Sequence, residues 1–307
     1  MTRRTISRPI SLKGRGVHEN KPCSVILHPA EGETGISFLV NADGQRHIIN
    51  LSLNNLYRSR YQLSLGDENH AIHTVEHLLS ALYGLEITDC LIETDASEIP
   101  ILDGSSKGYV TAIRETGIVE QSADVLTRSI PCPMGLFQGS RYVIAYPDSK
   151  LSIHALINYE HPLLESMSYS YEHSTSRYES EIAPARTFGF LSDWDRMKSL
   201  GYASGSEPGN TVIYSSHGLV NPPLRYPEEP VRHKISDFLA ALSLLDYRIT
   251  GRLYLKMPGH SLDTAFAIAL KTLTDLDHPP DILPANISCD PLRLKAVLQE
   301  DFGRTSL

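Results

Sequence analysis

His73-Thr74-Val75-Glu76-His77-Leu78-Leu79-Ser80-Ala81-Leu82-Tyr83 reads as a short polar cluster at the head of an apolar helix. The helix is expected over about 74–83, with Gly84 as its C′ residue. A second cluster of the same kind, His233-Lys234-Ile235-Ser236-Asp237, leads into Phe238-Leu239-Ala240-Ala241-Leu242, in a helix expected over about 231–246. After each helix the pattern Ile-Thr-x-x-Leu appears, at 87–91 and at 249–253. Short β segments precede each helix, at 5–12, 23–28, 35–40 and 47–51, and again at 129–137, 141–146 and 151–159. Turn signals such as Ala42-Asp43-Gly44 separate them. The first repeat is expected to run on as a strand over 87–94, the second as one over 251–257. A further helix follows in each half, at 108–115 and from near His260. A helix at 192–200 and a strand at 211–214 fill the second half. Strands mixed with helices in this order predict an α+β fold. The expected division is two similar sheet-plus-helices domains, 1–124 and 125–275, packed face to face. A tail, 276–307, carries a short helix at 291–299. If the halves face each other, the two polar clusters can meet between them.

The bulk numbers narrow the function. The chain has 307 residues, 41% of them hydrophobic, enough for one large or two medium cores. The net charge of -8, with no Lys/Arg run, speaks against a nucleic-acid surface. No apolar run reaches 18 residues, so no transmembrane segment is expected. The basic start, Met1-Thr2-Arg3-Arg4, lacks the apolar stretch of a secretion signal. Cys23, Cys90, Cys132 and Cys289 are scattered, which suits reduced thiols in a cytoplasmic protein and no cysteine metal site. The expected partner is a small-molecule substrate, and the chain is expected to act as a monomer.

On a helix, His73 and His77 stand at i and i+4, on one face. His-x-x-Glu-His then matches the inverted zincin pattern of two metal-binding histidines and a catalytic glutamate, which would make a metallopeptidase. The bland reading is a polar helix start. His233 and Asp237 are also i and i+4. Together with His77 they offer three ligands for Zn²⁺, leaving a fourth position for water, as a catalytic zinc requires. Glu76 would stand beside that water as general base.

Further segments occur in order: Thr74-Val75-Glu76-His77, Glu98-Ile99-Pro100-Ile101-Leu102-Asp103-Gly104-Ser105, Ala185-Arg186-Thr187-Phe188-Gly189-Phe190, Val231-Arg232-His233-Lys234 with Asp237, and Gly259-His260. A fainter one is Gly14-Arg15-Gly16-Val17-His18. This set resembles that of the UDP-3-O-acyl-N-acetylglucosamine deacetylases, the LpxC family, which acts in lipid A synthesis. The resemblance implies a two-domain α+β fold with zinc between the domains, held by His77, His233 and Asp237. It implies Glu76 as general base and His260 as the group that protonates the leaving amine or supports the oxyanion. It implies Thr187 as hydrogen-bond donor to the oxyanion. Phe188, Phe190, Asp193, Lys234 and His18 would contact substrate. His73 would not be a ligand.

The chain departs from that pattern in places. Ala241 stands where the family usually has an aspartate that pairs with the active-site histidine. Asp263 stands where an asparagine is usual, and Tyr61-Gln62-Leu63 where small residues are common. The run Tyr202-Ala203-Ser204-Gly205-Ser206-Glu207-Pro208-Gly209-Asn210 differs from the family's Gly-Gly-Ser. Metal and base positions are kept while groups around the substrate vary. A relative that deacetylates another N-acyl sugar or amide, or one that only binds a sugar nucleotide, stays open at this point. The loop 98–105 is expected to be at least as much structural as catalytic. His154, His161, His173 and His217 are expected to be surface or core residues.

Overall fold

The structure is a computed structural model, and it describes residues 1–42, 45–58, 60–221, 223–275 and 286–303. Seven α-helices are defined among these: α1 (Glu76–Gly84), α2 (Lys107–Thr116), α3 (Thr175–Arg177), α4 (Trp194–Ser199), α5 (Glu229–Leu242), α6 (His260–Asp275) and α7 (Pro291–Phe302). The turn at Asp43-Gly44 lies outside the described residues.

Two sheets carry the fold, and they share one topology. In the first, the strand order is Ile10–Arg15, Pro22–Pro29, Cys90–Thr94, Ile36–Ala42, Gln45–Asn50. The strand after α1, Cys90–Thr94, lies in the middle, antiparallel to Pro22–Pro29 and parallel to Ile36–Ala42. In the second sheet, Met134–Gln138, Arg141–Tyr146, Arg248–Lys256, Leu151–Ile157 and Met167–Glu172 repeat that order. Here the strand after α5, Arg248–Lys256, takes the middle place, antiparallel to Arg141–Tyr146 and parallel to Leu151–Ile157. The duplication suggested by the paired Ile-Thr-x-x-Leu patterns is therefore a duplication of architecture, and the chain is α+β.

Several expected elements are shorter or split. The segment 5–12 divides into Thr2–Ile6 and Ile10–Arg15, because the first pairs with Ile118–Asp124 in a separate ribbon. Pro9 between them has no N–H to give a ladder. The strand expected from residue 87 begins at Cys90, since the N–H groups of Thr88 and Asp89 both turn to Arg4 O. The segment 129–137 divides into Thr127–Ser129 and Met134–Gln138 around Pro131 and Pro133. Met167–Glu172 went unforeseen. Gly84 is the last residue of α1, not its C′ residue, and Glu86 takes the left-handed conformation at φ +62°. Gly84 is needed for another reason: a Cβ there would lie 2.2 Å from the Tyr178 ring.

One buried core runs through both sheets. It includes Val25, Phe38 and Ile92 from the first, Val143, Leu253 and Leu255 from the second, and Leu78, Leu82, Phe238 and Phe266 from the helices. The second sheet is apolar on both faces. Its residues Tyr142, Ile144 and Tyr254 point the other way, as the two-residue period of a strand requires, and are covered by Leu294 and Leu298 of α7. Helices α1 and α5 touch through buried hydroxyls, with Ser80 Oγ 2.7 Å from Ser236 Oγ and 2.9 Å from Tyr178 Oη. Small side chains at that crossing let the two helix starts approach each other. Among the described residues no helix is long and apolar enough to cross a membrane.

Candidate metal centre

His77 lies on the first turn of α1 and His233 on the second turn of α5, and their imidazole rings meet edge to face with centroids 5.0 Å apart. Asp237, one turn further along α5, completes the group. Each of the three offers a ligand atom within 4.8 Å of the others, and all three are buried. No other such group of histidine, cysteine and carboxylate side chains occurs among the described residues. His233 Nδ1 lies 3.0 Å from Ala185 O, so that nitrogen donates and Nε2 is left with a lone pair, 3.4 Å from Asp237 Oδ1. His77 Nδ1 and Asp237 Oδ1 are buried and find no hydrogen-bond partner among the described residues. Buried polar atoms are seldom left unpaired, and a nitrogen and an oxygen left so beside each other fit a divalent cation.

The charges agree with that donor set. Burial, then the neighbouring His233, lowers His77 to about 3, and burial lowers His233 as well. Both imidazoles are therefore neutral, as a ligand must be. Burial alone would raise Asp237, but neighbouring cations, a protonated His233 or the Lys234 ammonium, hold it below the usual carboxylate range, and with His233 neutral Lys234 is the one that remains. Lys234 Nζ sits 3.1 Å from Asp237 Oδ2.

Glu76 is also buried, and its Oε2 accepts the Leu63 N–H at 3.0 Å. Burial and the charge of Asp237 raise its carboxyl to about 8. His260 Nε2 lies 3.7 Å from Glu76 Oε1, and burial lowers this imidazole to about 4. Among the described residues no other carboxylate comes within 4 Å of the His260 ring, and position 241 contributes only a buried methyl group. Thr187 is tied to the first half through its own N–H, which donates to Gly104 O at 2.7 Å. The preceding Arg186 is fixed by a buried carboxylate, Glu229, whose oxygens accept the Arg186 N–H and guanidinium at 2.8–3.0 Å. This is what the loop 98–105 and the Ala185–Phe190 run do structurally: they hold one side of the site.

A cleft of about 350 Å³ opens over this group. Its walls include every residue expected at the site: Glu76, His77, His233, Asp237, His260 and Thr187, with Lys234, Phe188, Phe190, Asp193 and His18. Phe188 and Phe190 pack with Tyr159, Tyr214 and His161, and Lys234 Nζ stands 5.6 Å above the Phe188 ring. Tyr159, Trp194, Met197 and Tyr61 also line the cleft. Tyr159, Trp194 and Met197 carried no sequence signal, because a single aromatic in a loop and two apolar residues on the six-residue α4 are too few to show a period.

The two-histidine helix motif does not form. His73 belongs to the strand Ala71–His73, paired with Ser64, and its Nδ1 is 2.9 Å from Ser64 Oγ. Thr74 breaks the run at φ +60°, a strained value for a β-branched residue. Its hydroxyl lies 2.9 Å from Glu98 Oε1 and 3.0 Å from Gln62 Oε1. The helix starts at Glu76, so His73 and His77 share no helical face. Of the histidines expected away from the site, His161 lies on Ser215 O, His173 on the Tyr171 hydroxyl and His154 on the Tyr254 ring, while His217 is exposed.

A family profile described as LpxC, UDP-3-O-acyl N-acetylglycosamine deacetylase, matches residues 3–272. A UDP-3-O-acyl-N-acetylglucosamine deacetylase of Leptospira biflexa is 37% identical over 268 residues, 86% of this chain and 88% of the relative. Enzymes of the same name from Thermodesulfovibrio yellowstonii and a Nitratiruptor species are 36% and 35% identical, over 84% and 88% of this chain and 88% and 90% of their own lengths.

Proposed function

The chain belongs to the UDP-3-O-acyl N-acetylglycosamine deacetylase family, and on that footing we propose that His77, His233 and Asp237 hold a catalytic zinc ion. The reaction is hydrolysis of the acetamide of a UDP-3-O-acyl-N-acetylglucosamine, releasing acetate, in the cytoplasmic part of lipid A synthesis. The observation that carries this reading is the pair of orphaned polar atoms, His77 Nδ1 and Asp237 Oδ1, buried on the floor of a cleft beside a buried glutamate. When bound, zinc would polarise the acetamide carbonyl and bring the attacking water toward ionisation at neutral pH.

The chain's own groups supply the rest. Burial, and after it the charge of Asp237, raise Glu76; a divalent cation held by Asp237 would offset the second of these and favour the carboxylate, which would then take the proton of the attacking water. The Leu63 N–H keeps the Glu76 carboxylate aimed. Thr187, held by Gly104 and Val212 on either side of its peptide, offers its hydroxyl to the oxygen on which charge develops. His260, held neutral by burial, stands 3.7 Å from Glu76 Oε1, where it would receive the proton that Glu76 takes from the water and pass it to the departing nitrogen. Lys234 and the aromatic wall of Phe188 and Phe190 suit the anionic and planar parts of a nucleotide, and Asp193 and His18 close the rim. The reading divides the chain into units of 1–124, 125–275 and a tail, with the site at the seam.

The test is an acetate-release assay on UDP-N-acetylglucosamine with and without a 3-O-acyl group, with and without chelator. Acetate from the acylated compound alone, lost on chelation and restored by zinc, is the expected result. Release that persists without metal would end this assignment.

A further inference from the structure

Three of the segments singled out in the sequence meet on one side chain that the mechanism above does not use. Glu98 is 3% exposed and does not line the cleft. Its Oε1 accepts the His18 N–H at 2.8 Å and the Thr74 hydroxyl at 2.9 Å, and its Oε2 accepts the Glu19 N–H at 2.9 Å. Each of these partners is a donor, so the pocket is built for a carboxylate. Gly16 makes room for it, since a Cβ there would lie 1.9 Å from Oε2. The runs Gly14–His18, Thr74–His77 and Glu98–Ser105 therefore share a single contact.

Both arms of that contact lead to the site. On one side, Thr74 holds φ +60°, a value that a β-branched residue keeps only when its surroundings impose it. The turn it makes lets α1 start at Glu76. Backbone bonds fix its neighbours, with the His73 N–H on Ser97 O at 2.8 Å and the Val75 N–H on Leu63 O at 3.3 Å. The Thr74 hydroxyl has one proton and two acceptors near it, Glu98 Oε1 and Gln62 Oε1, and the charged oxygen is the stronger. Two residues on stands Glu76, and three on His77. On the other side, the loop 16–19 carries His18 to the cleft wall. There the Ala203 N–H of the second half donates to His18 Nδ1 at 3.1 Å, which leaves the proton of the neutral ring on Nε2.

We propose that Glu98 is a positioning residue of the deacetylation, a buried clasp that holds the turn presenting Glu76 and the loop presenting His18. This inference rests on the deacetylase reading above. Glu98 acts on turnover through Thr74, and on substrate binding through the His18 and Glu19 N–H groups.

The experiment compares Glu98→Gln, Thr74→Val, the double variant and Thr74→Ser as full-length, zinc-loaded proteins, reading kcat and KM for acetate release from UDP-3-O-acyl-N-acetylglucosamine. Thr74→Val keeps the branched shape and loses the hydroxyl. Its kcat is expected to fall by about 10–100-fold with KM within about twofold, because a small misplacement of reacting groups costs turnover. Glu98→Gln sets an amide N–H against a backbone N–H, and is expected to show the same fall in kcat with KM raised about 3–10-fold. The two residues share one bond, so the double variant is expected within about threefold of Glu98→Gln rather than at the product of the two losses. Thr74→Ser keeps the hydroxyl and is expected to recover kcat to within about threefold of the unaltered enzyme. A general loss of stability would not split kcat from KM in this way. Amide hydrogen exchange reads the clasp without turnover: His18 and Glu19 in Glu98→Gln are expected to exchange about tenfold faster, the loss of one ion-assisted bond. Normal kcat in either single variant, losses that multiply in the double variant, or unchanged exchange overturns the clasp. Should Glu98→Gln not fold, Thr74→Val against Thr74→Ser decides alone. An unaltered enzyme that releases no acetate overturns the deacetylase reading, and with it this role for Glu98.

Discussion

Replacing Asp237 by alanine is the sharpest test of the metal centre. The carboxylate offers one of the three proposed ligand atoms, which lie within 4.8 Å of one another, and it is also the partner of Lys234 at 3.1 Å. Loss of a mere outer-shell partner of a metal ligand costs 10–100-fold in affinity, so loss of a ligand itself should cost at least about 100-fold. At a free zinc concentration about 1,000 times the dissociation constant, binding stabilises the native state by about 4.1 kcal/mol. After a hundredfold loss the same zinc stands at about ten times the constant and contributes about 1.4 kcal/mol. At about 2 °C per kcal/mol for a chain of this size, the zinc-induced rise in Tm falls from about 8 °C to about 3 °C. The metal-free variant will itself be less stable, by about 3 kcal/mol, because Lys234 keeps only 16% of its side chain in water and loses its counter-charge. The comparison is therefore the shift each protein shows between chelated and zinc-loaded forms, read by calorimetry alongside zinc per chain. Asp237→Asn, which retains shape, should fall between the two. An undiminished shift with one zinc per chain in Asp237→Ala would refute the assignment of this ligand.

Glu76→Gln keeps an oxygen for the Leu63 N–H and should stay folded with full zinc content, while kcat drops by about 10²–10⁴; acetate release at zinc saturation reads this, and near-normal turnover would remove Glu76 from the base role. His73→Ala should retain one zinc per chain and lose only about 1 kcal/mol with the Ser64 contact. A lost equivalent of metal would revive a two-histidine motif. Arg186→Ala should lower stability by about 3–5 kcal/mol at neutral pH, because the Glu229 side chain is wholly buried. Burial alone would raise Glu229, but Arg186 and the backbone N–H groups hold it below its ordinary value. A depressed carboxylate contributes stability above its unfolded value of about 4.3 and loses it as pH falls through the folded one. Denaturant titrations should therefore show the gap between the two proteins narrowing below about pH 4; an equal gap at pH 3 and pH 7 would locate the loss elsewhere.

The sequence was a good guide wherever a residue pattern has a period. His233 and Asp237 lie one helical turn apart, and α5 places both on the site as that spacing implies. The two apolar helices each followed by Ile-Thr-x-x-Leu announced a repeated unit, and the shared strand order bears this out. It failed where one backbone angle outweighs a pattern. His73 and His77 have ligand spacing on paper, yet Thr74 at φ +60° puts one on a strand and the other on a helix. Gly84 looked like a helix stop and is instead room for the Tyr178 ring, from a residue 94 positions away.

By itself, then, the sequence determined the α+β class, the duplication, and the residue types able to bind a metal and move a proton, because these follow from local periodicity and side-chain chemistry. Tertiary structure alone decided that His77 of α1 should meet His233 and Asp237 of α5. It also decided that their unpaired atoms should be buried together and that Ala203 should dock on His18. The physical reason is distance along the chain. Contacts between residues 156 to 185 positions apart are fixed by how two cores pack, with Ser80 against Ser236 bringing the helix starts together, and local sequence carries no record of that packing.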